Sequence, residues 1–223
     1  MKQGQQNGEP RHESDLALVA LCQRGDRSAF NQLVERYQAG AYALAVRMLG
    51  DPDVAADVVQ DSFFSAYRAV ESFRGSSFRA WLYRIVSNAC IDYFRTEKRR
   101  PSASLDVVLE GPRDGESTGS AHVPQALIDA SWDPERLALR AETIKHIQSA
   151  LLELPPEQRL ALILCDVQSM PYDEIARVMD TSVGTVKSRI ARGRGHLRRI
   201  LLQSGELSES KWRPGSARAT NDE

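Results

Sequence analysis

Apolar residues in this chain recur every three to four positions and form no convincing alternating run, which predicts helices and no strand. The clearest case is Phe78–Arg95. Phe78, Trp81, Leu82, Ile85, Val86, Ala89 and Tyr93 follow the i, i+3, i+4, i+7 spacing of one helix face. Arg27–Met48 is a second helix, opened by Gly25-Asp26 with Asp26 as N-cap. Gly50-Asp51-Pro52 closes it and starts a third, with Asp51 capping and Pro52 in the first turn. That helix runs to about Val70, and SFRGSS, Ser72–Ser77, is a loop. Downstream, Glu135–Leu152 and Glu157–Asp166 read as helices broken apart by Pro155-Pro156. Tyr172–Arg199 then holds a short helix, a tight turn and a long basic helix.

These elements predict an all-α protein of two small helical domains joined by an irregular acidic linker, the second domain ending in a helix-turn-helix. The boundaries follow the pattern. Residues 1–14 are a disordered tail, 15–100 the first domain, 101–133 the linker, 134–203 the second domain and 204–223 a disordered tail. The linker holds Gly111, Pro112, Gly115, Gly119 and Pro124 with little periodicity. Its acids Asp106, Glu110, Asp114, Glu116, Asp129 and Asp133 face only Arg113 as counter-charge. About thirty residues without periodicity do not belong inside a compact domain. Composition alone favours a solvated tether over a functional loop.

Composition narrows the function classes. The hydrophobic fraction of 42% supports globular cores, but no apolar run reaches the roughly 18 residues of a transmembrane helix. The N-terminus MKQGQQNGEPRHESD lacks the apolar stretch of a signal peptide, so a cytoplasmic location is expected. Cys22, Cys90 and Cys165 are far apart in apolar helical patterns, and the histidines are scattered. Buried free thiols are the better reading, with no metal and no cofactor. No nucleophile motif, phosphate loop or zinc-binding pair is present, so no enzyme is expected.

Charge changes the picture more. The chain carries a net charge of −1, yet the last helix holds Lys187, Arg189, Arg192, Arg194, Arg198 and Arg199 and no acid. At about 100° per residue, Val183, Val186, Ile190 and Leu197 fall on one side, facing Ile175 and Met179 of the preceding helix. Thr185, Ser188, Arg189, Arg192 and Arg199 fall opposite, and Lys187, Arg194 and Arg198 on a flank. Short donors and arginines near the start of such a helix suit base edges and phosphates in a major groove. The competing reading is a solvated basic face. In Phe78–Arg100, Arg84, Asn88, Arg95 and Arg99 form a second edge, with Trp81, Tyr83 and Phe94 interleaved. Cations beside aromatics suit an unstacked nucleic-acid strand, while Trp81 reads equally well as core. In Pro52–Val70, Val59, Phe63, Ala66 and Val70 form a core stripe. Val54, Val58 and Phe64 lie elsewhere among Asp57, Gln60, Asp61 and Arg68. Either Phe64 anchors a protein-docking face, or the helix is buried on two sides.

Four segments carry a resemblance: GDRSAFNQLVERY, DVVQDSFFSAYRAVESFRG, FRAWLYRIVSNACIDYFR and LPPEQRLALIL followed by YDEIARVMDTSVGTVKSRIARGRGHLR. In this order and spacing they resemble the extracytoplasmic-function (ECF) sigma factors of bacterial RNA polymerase. The resemblance covers about 15–100 and 134–202. It implies a transcription initiation factor built from sigma domains 2 and 4. Asp57, Gln60, Asp61 and Phe64 would bind core polymerase, against the largest subunit. Ser72, Phe73, Arg74, Trp81, Arg84, Asn88, Arg95 and Arg99 would recognise and melt the −10 element and hold a flipped base by the 72–77 loop. Thr185, Lys187, Ser188, Arg189 and Arg192 would read the −35 duplex while domain 4 docks on the second-largest subunit. The acidic linker would run through the polymerase cleft, imitating RNA. An anti-sigma factor is the further partner implied, with no direct membrane insertion. Two positions depart from the family pattern. Pro171 stands where many relatives have a capping Ser, which would shift that helix start. Asp180 stands at a turn position often held by Gly, where Asp tolerates the left-handed conformation. The competing function is a stand-alone helix-turn-helix regulator, which leaves 15–100 without a role.

Overall fold

A computed structural model describes residues 10–99 and 134–204. The expected linker and most of both expected tails lie outside the described residues. Eight α-helices follow in order: α1 Pro10–Cys22, α2 Arg27–Leu49, α3 Pro52–Ala69, α4 Phe78–Arg99, α5 Pro134–Leu152, α6 Pro156–Leu162, α7 Tyr172–Val178 and α8 Val183–Gln203. Among the described residues there is no strand.

Local chemistry sets the boundaries. The Asp26 carboxylate accepts from the amides of Ser28 and Ala29 at 2.8 and 3.3 Å and starts α2. Asp51 does the same for Asp53 and Val54 at 2.9 and 3.1 Å and starts α3, with Pro52 at its first position. Gly50, at φ 82°, closes α2 in the left-handed conformation. A Cβ there would meet Leu152 of α5 at 2.5 Å, so this glycine serves both the turn and the packing of the second unit on the first. Asp51→Ala is expected to cost about 1 kcal/mol, the usual value of a lost N-cap. Urea unfolding of the full chain measures it, and an unchanged midpoint would contradict the cap.

Several boundaries differ from expectation. Ser72 belongs to a single 3₁₀ turn, Val70–Ser72, so the open loop is shorter. The helix expected over Glu157–Asp166 is α only to Leu162 and then widens into a π turn, Ile163–Val167. The amide of Gln168 bonds the Ile163 carbonyl at 2.9 Å and ends it. Helix α7 starts at Tyr172, directly after Pro171, which offers no side-chain cap. Asp180 takes the left-handed conformation as expected, at φ 50°. Ser169 shares that φ, which no local feature of the sequence announced.

The two helical units are packed on each other. Helices α1–α4 surround Leu33, Ala41, Leu44, Met48, Phe78, Leu82 and Val86, and α5–α8 surround Leu154, Leu160, Ile163, Leu164, Ile175 and Val186. Both sets belong to one contiguous apolar cluster. The seam is also polar. The buried Arg159 guanidinium donates to the carbonyls of Met48, Leu152 and Leu154 and lies 5.2 Å from the Phe94 ring centre. Gln168 donates to the Gly40 carbonyl at 3.0 Å and accepts from the Tyr83 hydroxyl at 2.8 Å, and Arg79 donates to the Gln168 carbonyl. These groups fix one relative placement of the units, because each leaves a partner unsatisfied if the seam shifts.

The three cysteines are free. Burial pushes the Cys90 thiol up to about 12. Burial, with Asp166 alongside, pushes Cys165 up to about 11. Both are therefore thiols rather than reactive thiolates near neutral pH. No helix among the described residues is long and apolar enough to cross a membrane.

Candidate nucleic-acid interface

The first site grows from the turn between α3 and α4. Phe73 is buried, and its ring meets Trp81 edge-on at 5.2 Å and Phe78 at 6.2 Å. Gly75 folds the loop so closely over Phe73 that a Cβ would stand 2.9 Å from the ring. The Ser77 hydroxyl accepts from the Ala80 amide at 3.2 Å and caps α4. Together they frame a cavity of about 350 Å³ lined by Ser72, Phe73, Arg74, Gly75, Trp81 and Arg84, among others. Trp81 is half-buried: one part of the ring packs on Phe73 and Phe78 and the rest faces the cavity. Trp81 is therefore not wholly core, because part of its ring is left open to the cavity. Phe73 supports the wall from within instead of offering a free stacking face.

Arg84, Asn88 and Arg95 continue from this cavity along α4, with Asn88 and Arg95 exposed and Arg84 partly so. Arg95 pairs with Asp92 one turn back at 3.0 Å. Arg99 ends α4, and its side chain lies outside the described residues. Arg74 is exposed, and its guanidinium donates to the carbonyls of Glu71 and Phe73 at 2.8 Å.

The second site is α8. Ser182 caps it, accepting from the Thr185 amide at 3.1 Å. Val186 and Ile190 are buried against the rest of the unit. Val183, expected on that face, is the first helical residue and is 39% exposed. Gly193 is buried instead, where a Cβ would crowd Leu162 at 3.1 Å. Lys187, Ser188 and Arg192 are exposed on the outer face. The Arg192 side chain donates to the Ser188 carbonyl and hydroxyl, both at 3.2 Å. This anchors the guanidinium along the helix instead of leaving it free in solvent. Thr185 is partly covered. Arg189 differs from its neighbours: it folds back onto Glu157 at 2.5 Å and its side chain is only 19% exposed. It is thus less available than Lys187 or Arg192.

A cleft of about 430 Å³ brings the two sites to one seam. Arg95 of α4 and Arg189 and Arg192 of α8 line it, over a floor of Ile91, Phe94, Pro155 and Pro156. The seam residues Arg159, Gln168, Glu174 and Arg177 carry no signal in the sequence pattern. Arg159, Glu174 and Arg177 lie on helices with ordinary local patterning and Gln168 in the turn after Val167, and their role appears only once the units meet.

A third surface lies on α3. Val59, Phe63 and Ala66 are buried as expected, while Asp57, Gln60, Asp61 and Arg68 are exposed and Phe64 is 58% exposed. The helix is therefore not buried on two sides.

Residues 33–100 match the Sigma-70 region 2 family and residues 145–197 match Sigma-70 region 4. The ECF RNA polymerase sigma-E factor of Salmonella typhimurium is 43% identical over 182 residues, covering 81% of this chain and 91% of the relative. A solved structure of CnrH in complex with the cytosolic domain of CnrY is similar at TM-score 0.59 and 30% identity, covering 85% of this chain and 98% of that one. The sigma factor RpoE from Bartonella quintana, solved with the anti-sigma factor NepR, is similar at TM-score 0.58 and 26% identity, covering 78% and 96%.

Proposed function

The chain belongs to the extracytoplasmic-function family of RNA polymerase sigma factors, and from that premise we propose how its surfaces divide the work of transcription initiation. It binds core RNA polymerase and directs it to promoters by reading −35 and −10 elements and helping to open the DNA. The observation that carries the division is that two exposed cationic surfaces, α8 and the α4 edge with its loop cavity, sit on separate units. A regulator that only binds duplex DNA needs α8 alone.

In this reading α8 enters the major groove at −35. Ser188 and the anchored Arg192 reach base edges, and Lys187 takes phosphate. The loop cavity beside Trp81 receives an unstacked base of the −10 strand, and Arg84, Asn88 and Arg95 follow its backbone. Trapping such bases offsets the few kcal/mol that unstacking costs. Asp57, Gln60, Asp61 and Phe64 dock on the polymerase. On this reading the two domains span about 15–100 and 134–203. The protein works with polymerase in the cytoplasm and carries no chemistry of its own. An anti-sigma factor, as in the Bartonella quintana complex, is the partner class we infer for holding it inactive.

Run-off transcription with core polymerase on genomic DNA, with and without the protein, tests the assignment. Transcripts with discrete starts are expected only when it is present, and their absence refutes the reading. On promoters recovered this way, Arg192→Ala is expected to weaken holoenzyme binding by about 1–3 kcal/mol and to relax selectivity at one −35 position. Lys187→Ala should weaken all sequences alike and lower the salt slope by about one. Filter binding across a salt series separates the two, and identical behaviour would remove the distinction.

A further inference from the structure

The closed seam places part of the −35 unit on the −10 surface. Asp180, at the turn of the helix-turn-helix, pairs with Arg84 at 3.0 Å. Arg177 of α7 lines the same loop cavity as Trp81 and reaches the Ser76 hydroxyl at 3.5 Å. The buried Glu174 carboxylate accepts from the Ser77 hydroxyl at 3.2 Å. Three residues of one turn and its helix thus occupy the loop, the cavity rim and the leading cation of the edge. Two of them are carboxylates, set where a nucleic-acid strand would bring its own oxygens. The Asp180 carboxylate stands in for a phosphate on Arg84.

Geometry makes this placement incompatible with promoter reading. Elements centred near −35 and −10 are about 25 base pairs apart, roughly 85 Å along a duplex at 3.4 Å per pair. Here the two reading surfaces lie within ion-pairing distance. The seam must therefore open before both elements are engaged.

We propose that the helix-turn-helix is an intramolecular shutter over the −10 pocket, with Asp180, Glu174 and Arg177 competing directly with single-stranded DNA for Arg84, Ser77 and the cavity beside Trp81. The inference rests on the −10 assignment above and adds to it a built-in competitor. The shutter is held closed by Gln168 and Arg159 across the seam and gives way when the units separate. A free chain that is mostly closed binds a strand more weakly by its open fraction. With about nine molecules in ten closed, the deficit is about tenfold.

The test uses the full chain and a fluorescein-labelled random-sequence DNA single strand of about 12 nucleotides, within the site size of single-strand binders. The variant Gln168→Ala/Arg177→Ala/Asp180→Asn removes one acid and one base, so net charge is unchanged. By anisotropy it is expected to bind about tenfold more tightly than the parent chain, with a larger radius of gyration by small-angle scattering. Circular dichroism confirms that the helices are retained. Asp180→Asn alone changes a side chain that is 79% exposed, tolerates the left-handed backbone and carries the same expectation in reduced size. Equal affinities of parent and folded variants overturn the shutter, even if run-off transcription with core polymerase is normal. Failure of run-off by the parent chain would instead strike the initiation-factor reading. Normal run-off by a tighter-binding variant supports both.

Discussion

Phe78→Ala is expected to destabilise the protein by about 3–5 kcal/mol, the cost of removing a fully buried aromatic ring. Phe78 is 1% exposed and is the first residue of α4. Its ring meets Tyr37 at 5.7 Å, Trp81 at 5.5 Å and Phe73 at 6.2 Å. The same side chain therefore fastens α2 to α4 and holds the two aromatics that wall the loop cavity. Aromatic contacts of this geometry add to the area they bury. Chemical denaturation of the full chain gives the stability loss. Permanganate reactivity of promoter thymines, at a temperature where the variant is still folded, gives the loss of DNA opening. Trp81→Ala, at a half-buried position, should cost less stability while impairing opening as much. If Phe78→Ala unfolds at the parent midpoint, this cluster does not anchor α4.

The helix starts were legible because capping is local. Asp26 and Asp51 each satisfy amides two and three residues onward, so a few letters suffice. The core stripe of α3 was legible because one buried face imposes a 3.6-residue period, and Val59, Phe63 and Ala66 obey it. The outer face of α8 was legible for the same reason, but Arg189 was not. Its partner Glu157 lies 32 residues away, and helical geometry alone places it beside Arg192. The π turn at Ile163–Val167 and the positive φ of Ser169 also carry no local signal. Both arise where α6 must deliver Gln168 to Gly40 and Tyr83 of the other unit. The candidate surfaces were legible as separate patches. Their meeting at Arg84–Asp180 and Ser77–Glu174 joins residues 96 and 97 positions apart, beyond the reach of pattern.

Phe64→Ala with Asp61→Ala is expected to weaken association with core polymerase by about 2–3 kcal/mol, some 30- to 150-fold. Asp57, Gln60, Asp61, Phe64 and Arg68 follow helical spacing on the open side of α3, opposite the buried Val59, Phe63 and Ala66. A single exposed aromatic is ordinary. Phe64 stands out because Tyr67, also exposed, lies beside it and acids flank it, giving an apolar anchor with a polar rim. Because Phe64 is already 58% exposed, its removal should leave the melting temperature nearly unchanged, which separates lost docking from lost folding. Titration of labelled full-length protein with core polymerase measures the affinity, and full retention would remove α3 from the interface. The position of this stripe also orders the events. Its residues are exposed while Asp180 still pairs with Arg84, so polymerase can engage α3 before the seam opens. In the proposed complex that docking energy would be available to separate the units. The double variant should therefore lose polymerase binding without gaining affinity for single-stranded DNA, the opposite of the expectation for the seam variant.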